Sequence, residues 1–126
     1  MTDIRVFFAV LLTFVFLAQP AVAACKQTDP GLAGGYELQG VMETGSMIAL
    51  TADGRFRYML TVGAFDEFAE GCWQRSGDSV VLSPIKIRAN DGNPTFKKLE
   101  LKLNTKGGLV RFYQGKRFGA YVRVTK

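Results

Sequence analysis

The sequence predicts an all-β chain: an antiparallel, eight-stranded up-and-down meander barrel, with a two-sheet sandwich as the alternative. Three observations predict it. After residue 24 no stretch sustains a helical period. Short runs of β-branched and aromatic residues alternate with polar ones, and glycine-bearing turns separate them roughly every 8–12 residues. The runs fall at approximately 35–41, 46–51, 55–62, 67–74, 79–88, 95–103, 108–113 and 118–124. Every connection is short, and a meander of eight closes most simply into a barrel, which removes both sheet edges.

The chain has 126 residues, enough for one domain. Residues 1–23 read as a signal peptide. Val6 to Ala18 is apolar apart from Thr13 and is shorter than the roughly 20 residues that a spanning helix needs. Gln19-Pro20 ends it, and Ala21-Val22-Ala23 is a good cleavage signal. Residues 24–34 would form an N-terminal tail and 35–126 the barrel. Cys25 and Cys72 are the only cysteines. An even count in an exported chain favours one bridge between them. Val22-Ala23-Ala24-Cys25 is also a passable lipid-attachment box, so a lipid anchor on Cys25 is the alternative. The expected location is periplasmic or secreted.

Within the body, SMIALTADGRFRYML is the best-determined hairpin. A three-residue loop, Ala52-Asp53-Gly54, sets Leu50 opposite Phe56 and Ile48 opposite Tyr58, with Leu60 and Val62 continuing that face. A two-residue turn would set Leu50 against Arg57, and a one-residue slip sends every side chain to the wrong face. In AEGCWQRSGDSVVL a Ser76-Gly77 turn would pair Trp73 with Val80 and Gly71 with Leu82. Trp73, Val80 and Leu82 then face inward, and Cys72 faces outward, within reach of a tail carrying Cys25. Pro84 donates no ladder hydrogen bond and signals a bend or bulge. In KKLELKLN, Leu99, Leu101 and Leu103 face inward. In LVRFYQGKRFGAYVRV, Val110, Phe112, Phe118, Ala120, Val122 and Val124 are placed inward, and Arg111, Tyr121 and Arg123 outward. With Phe56, Tyr58, Trp73, Phe112 and Phe118 inside, the interior is expected to be packed.

The body then resembles small bacterial exported lipocalin-like domains of the calycin type. The residues that carry this are Gly35-Tyr36-x-Leu38, Leu50-x-x-Asp53-Gly54-x-Phe56-x-Tyr58, Gly71-x-Trp73 and Gly77-Asp78-x-Val80-x-Leu82, spanning residues 35–82. The chain is also similar to small periplasmic inhibitors of secreted metalloproteases. Those are barrels of about this size with one disulfide and a tail that enters the protease cleft. Ala24 to Gly34 would supply such a tail, although that family keeps both cysteines within the barrel and here Cys25 lies in the tail.

Composition excludes some chemistry. There is no histidine, so neither a Ser–His or Cys–His pair nor a His-ligated zinc site can be built. No metal or cofactor is implied. Asp66, Glu67 and Glu70 in GAFDEFAEG are adjacent carboxylates, but they match no calcium loop and read as a solvated acidic loop leading into a strand. A carboxylate-based hydrolase is the weakest reading.

Charge is unevenly placed. Ala24 to Ile85 carries four basic and eight acidic residues, and Lys86 to Lys126 carries eleven basic and two acidic. Such a domain attracts anions on one side. Lys98, Lys102, Arg111 and Arg123, with Lys116 and Arg117 on the last hairpin, form the candidate anion-binding patch. Tyr58 and Trp73 are the candidate contacts for a ligand inside the barrel. The expected function is that of an exported, non-enzymatic binding protein. It would act through its basic surface or its mouth on an anionic or amphipathic envelope component (lipid, lipopolysaccharide or polysaccharide) or on an acidic protein. Inhibition of a secreted hydrolase is the alternative. Nucleic acid is electrostatically compatible, but the leader argues against it.

Overall fold

The computed structural model describes residues 24–125; the signal-peptide reading of residues 1–23 lies outside them. One turn of 3-10 helix, Pro30–Leu32, precedes eight strands. These are β1 (Gly34–Gln39), β2 (Thr44–Leu50), β3 (Arg55–Val62), β4 (Phe65–Ser76), β5 (Ser79–Ala89), β6 (Leu99–Leu103), β7 (Leu109–Tyr113) and β8 (Lys116–Thr125). Each pairs antiparallel with the next, and β8 returns to β1, so the barrel is closed. The chain is an up-and-down barrel and not a sandwich.

Burial sets the register as the alternation requires. Leu50 pairs with Phe56 and Ile48 with Tyr58 across the β2–β3 hairpin. Gly54 takes the positive φ that this loop needs, at 87°. The next hairpin differs from expectation by two residues. Its turn is Gly77-Asp78, with Ser76 opposite Ser79 and Trp73 opposite Leu82. A two-residue shift preserves the face, so Trp73, Val80 and Leu82 are still inside. Near Pro84 the β4–β5 register slips, and Ile85 is left as the extra residue between Pro84, opposite Gly71, and Lys86, opposite Glu70. This is a β-bulge. Gly71 belongs to it by space: a Cβ there would lie 2.6 Å from the Ile85 nitrogen.

The interior is filled by Trp73, Tyr36, Tyr58, Tyr121 and Phe56, all fully buried, with Ile48, Leu82, Leu101 and Leu109 between them. β6 is shorter than expected, starting at Leu99. Residues 95–98 belong instead to the loop that precedes it.

β7 and β8 correct the sequence reading. Leu101 and Leu103 face inward and pair with Arg111 and Leu109, which puts Leu109 and Arg111 inside. Tyr121, opposite Leu109, is inside as well. Phe112, Val122 and Val124, expected inside, are instead about half exposed. Val110 is covered but lies outside the core cluster. Phe118 still reaches the core, because a bulge makes it the extra residue between Arg117, opposite Phe112, and Gly119, opposite Arg111. The physical reason for the misreading is that this segment has apolar residues at both parities, so alternation alone does not choose.

Candidate ligand-binding mouth of the barrel

The two ends of the barrel are built differently. At the end where β1 begins, the N-terminal tail folds across the opening. Cys25 is bonded to Cys72, with the Cα atoms 5.4 Å apart, so its sulfur is not available for a lipid. Thr28 Oγ1 accepts from the Arg75 amide at 2.8 Å, and Asp29 pairs with the Arg75 guanidinium at 2.7 Å. Leu32 packs on the core, and its carbonyl accepts from the Tyr36 hydroxyl at 2.6 Å. Trp73 donates its indole N–H to the Thr51 carbonyl at 2.9 Å. Arg123 lies over the Tyr36 ring, 6.0 Å from its centroid, and donates to the Ala33 carbonyl. Arg123 is therefore a structural clamp on the tail and not part of an outer patch.

The opposite end is formed by the turns after β1, β3 and β7 and by the long loop 90–98. Here two charged side chains sit inside the barrel: Glu67 is 1% exposed and Arg111 is 4% exposed. The acidic stretch around Glu67 is thus not a solvated loop. It is the start of β4, with Glu67 sharing the inward parity of Ala69 and Trp73.

Glu67 is fully satisfied. Its Oε1 accepts from the Tyr58 hydroxyl at 3.0 Å and from Thr95 Oγ1 at 2.7 Å. Its Oε2 accepts from the Thr95 amide at 2.5 Å. Arg111 is satisfied on one side only. Ser46 Oγ donates to the Met59 carbonyl at 2.7 Å, so the Tyr121 hydroxyl, 2.7 Å away, donates to Ser46. Tyr58 has spent its proton on Glu67. Both phenol oxygens are then acceptors for Arg111 Nη1, at 2.8 Å from Tyr58 and 3.4 Å from Tyr121. Those two bonds use both hydrogens of Nη1. Among the described residues nothing accepts from Nε or Nη2.

No carboxylate lies within ion-pair distance of Arg111 among the described residues. Glu67 balances it only through the Tyr58 hydroxyl. Burial works against the guanidinium charge and the two phenol oxygens work for it, with the balance above the ordinary value. Burial also pushes the Tyr58 phenol well above its usual range, against the pull of Arg111. The guanidinium is flanked by three rings, with centroids 5.4 Å (Phe118), 5.6 Å (Tyr58) and 5.9 Å (Phe96) away. Phe96 meets Tyr58 edge-on at 5.0 Å.

Arg111 forms part of the wall of a cavity of about 420 Å³ that opens at this end. Leu60, Val62, Phe65, Phe118 and Tyr113 supply its apolar wall, and Asp91, Asn93 and Thr95 supply polar groups from the loop. Larger depressions lie on the outer wall. One of about 510 Å³ runs along β4 and β5, with Glu70, Lys86 and Arg88. Another of about 690 Å³ lies between the β2–β3 hairpin and the bulged part of β4 and β5, with Asp53, Arg55, Arg57, Glu70 and Lys86. Both carry exposed side chains of mixed charge. Among the depressions of the described residues, the mouth combines concavity, apolar walls and an interior cation with free donors.

The sequence-predicted residues therefore divide. Tyr58 and Trp73 are both interior, but at opposite ends, and only Tyr58 belongs to the mouth. Of the anion-binding patch, Lys98, Lys102, Lys116 and Arg117 are exposed. Lys102 sits between Asp78 at 3.5 Å and Glu100 at 3.3 Å, toward the tail-covered end. Lys98, Lys116 and Arg117 are carried by the segments around the mouth. Arg111 leaves the patch for the interior. Sequence reasoning missed Glu67, Thr95, Tyr121 and Ser46. The inward parity of Glu67 was available from its spacing to Trp73; the other three depend on contacts between distant strands. No family model matches this chain, nor does any curated protein or solved structure.

Proposed function

We propose that this protein is a non-enzymatic binding protein whose barrel mouth holds a small anionic amphiphile, with Arg111 as the anchoring cation. The observation that supports this is the unspent edge of Arg111: a buried guanidinium, with no contacting carboxylate, at the wall of an apolar cavity. That edge is open to the cavity rather than sealed in the core, the one buried side-chain donor without a partner among the described residues being Arg123 Nε at the other end. An anion entering the mouth would replace water there with a charge-assisted pair. Lys98, Lys116 and Arg117 around the rim would raise the local concentration of anions. The disulfide suggests an oxidising, extracytoplasmic environment. Within it a periplasmic or secreted location, with an envelope component as ligand, is the reading in best accord with the leader.

The test is chemical-shift mapping of the protein titrated with decanoate and with decyl sulfate. The expected shifts fall on residues 60–68, 90–98 and 111–119. Shifts confined to the outer wall around Lys102, or no saturable shifts with either anion, would refute the mouth as the binding site.

A further inference from the structure

We infer that the ligand of this mouth is a small monocarboxylate, bound carboxylate-first on the Nε/Nη2 edge of Arg111 with its apolar body outward between Val62, Phe65, Tyr113 and Phe118. The inference rests on the mouth reading above and adds the head group and the orientation.

Donor geometry carries the head group. With Nη1 committed to Tyr58 and Tyr121, the guanidinium offers its side-on edge. Two parallel N–H groups on that edge match the two oxygens of a planar carboxylate. A phosphate or sulfate brings further oxygens that need donors. The hydroxyls around Arg111 have none left: Tyr58 and Thr95 donate to Glu67, and Tyr121 donates to Ser46. The unspent donors in the wall, the Tyr113 hydroxyl and the second hydrogen of the Asn93 amide, belong to exposed residues.

Charge points the same way. Arg111 is the one cation in the cavity wall, whereas Asp91 lines it and Glu67 stands one phenol away. A second negative charge, as on a phosphate monoester, would be added against two carboxylates. Space sets the orientation. Beneath Arg111, Tyr58 and Tyr121 are fully buried in packed core, so there is no volume for an apolar body below the head. The free apolar wall lies above it, toward solvent.

Calorimetric titration of the unmodified protein with a matched series decides this: decanoate, decyl sulfate, decyl phosphate, decanol and decyltrimethylammonium, each below its micelle concentration. Decanoate is expected to bind at least ~10-fold tighter than every other member, since a mismatched charged head forfeits about one good charge-assisted pair. Arg111→Lys keeps the charge but presents no fork, and is expected to lose at least ~10-fold. Arg111→Met is expected to lose ~30-fold or more. Nuclear Overhauser contacts should join the ligand's terminal methyl to Tyr113 or Phe118. Decyl sulfate or decyl phosphate binding as tightly as decanoate would overturn the carboxylate assignment and leave the mouth reading standing. Methyl contacts to Tyr121 would overturn the orientation. Decanol equalling decanoate, or no binding by any anion, would overturn both readings. Should the Arg111 variants fail to fold, the head-group series on the unmodified chain still decides.

Discussion

Replacing Glu67 by alanine removes the acceptor for three hydrogen bonds at once: those from Tyr58, the Thr95 amide and the Thr95 hydroxyl. It also removes the negative charge that balances Arg111 through Tyr58. Glu67 and Arg111 are not in contact, so the cost is that of stranding the buried Tyr58 hydroxyl and weakening the relayed charge balance. Thr95 is on an exposed loop and can turn to water, so about 3 kcal/mol applies, the upper end for one buried group left without its partner. For a domain of about 100 residues each kcal/mol is worth roughly 4–8 °C, which gives a fall in Tm of about 12–24 °C. Urea unfolding measures the global loss, and amide exchange at Thr95 and Phe96 measures the release of loop 90–98 from the barrel. Glu70→Ala, on the exposed face of the same strand, is the control and should stay within about 0.5 kcal/mol. Glu67→Gln should fall between the two, because its new NH₂ group sets a donor against a donor where a carboxylate oxygen had accepted, while its carbonyl oxygen keeps the other side. A loss below about 1 kcal/mol in Glu67→Ala, or unchanged exchange at Thr95, would refute the view that this carboxylate holds the loop and the interior charge together.

The Cys25–Cys72 bond closes a sequence separation of 47 residues, and chain entropy then puts its worth at up to about 4 kcal/mol. The double serine variant should lose most of that in urea unfolding, and the mass of the unmodified protein should be two hydrogens below the reduced value; intact stability in the variant would contradict it. Burial raises both Tyr58 and Tyr36 above the ordinary phenol value. Their stabilisation is therefore fully present below about pH 10 and declines as pH rises from there toward the folded values, because the unfolded chain releases its phenol protons first. Unfolding at pH 9, 10 and 11 should show this decline, lessened in Tyr58→Phe. At the β4–β5 bulge, Gly71→Ala should cost about 1–3 kcal/mol, since the new methyl meets the backbone of Ser83 to Ile85; a neutral result by thermal melting would show that the bulge yields.

Much of the barrel was legible in order along the chain. The β2–β3 register followed from burying Leu50, Ile48, Phe56 and Tyr58 together, because the wrong register exposes four large side chains. The bulge at Pro84 followed from a missing N–H. The outward Cys72 followed from its place next to Trp73, and the bond to Cys25 agrees with it. The β7–β8 hairpin was not legible in the same way. Its sequence reads Leu-Val-Arg-Phe-Tyr and Phe-Gly-Ala-Tyr-Val-Arg-Val, with apolar residues at both parities, and the prior expectation that arginine faces water chose the wrong one.

What this sequence by itself determined is the class of fold, the number of strands and the means of holding the tail, since alternation, turn residues and a cysteine pair are local or countable properties. What only the tertiary structure decided is the site. The inward face of β7 is set by its pairing with Leu101 and Leu103 of β6, and that pairing carries Arg111 inside. There it meets Tyr58 from β3 and Tyr121 from β8, and through Tyr58 the Glu67 of β4 and the Thr95 of the loop. A buried charge is tolerated only where partners from several strands converge on it, and convergence of that kind is a property of barrel closure.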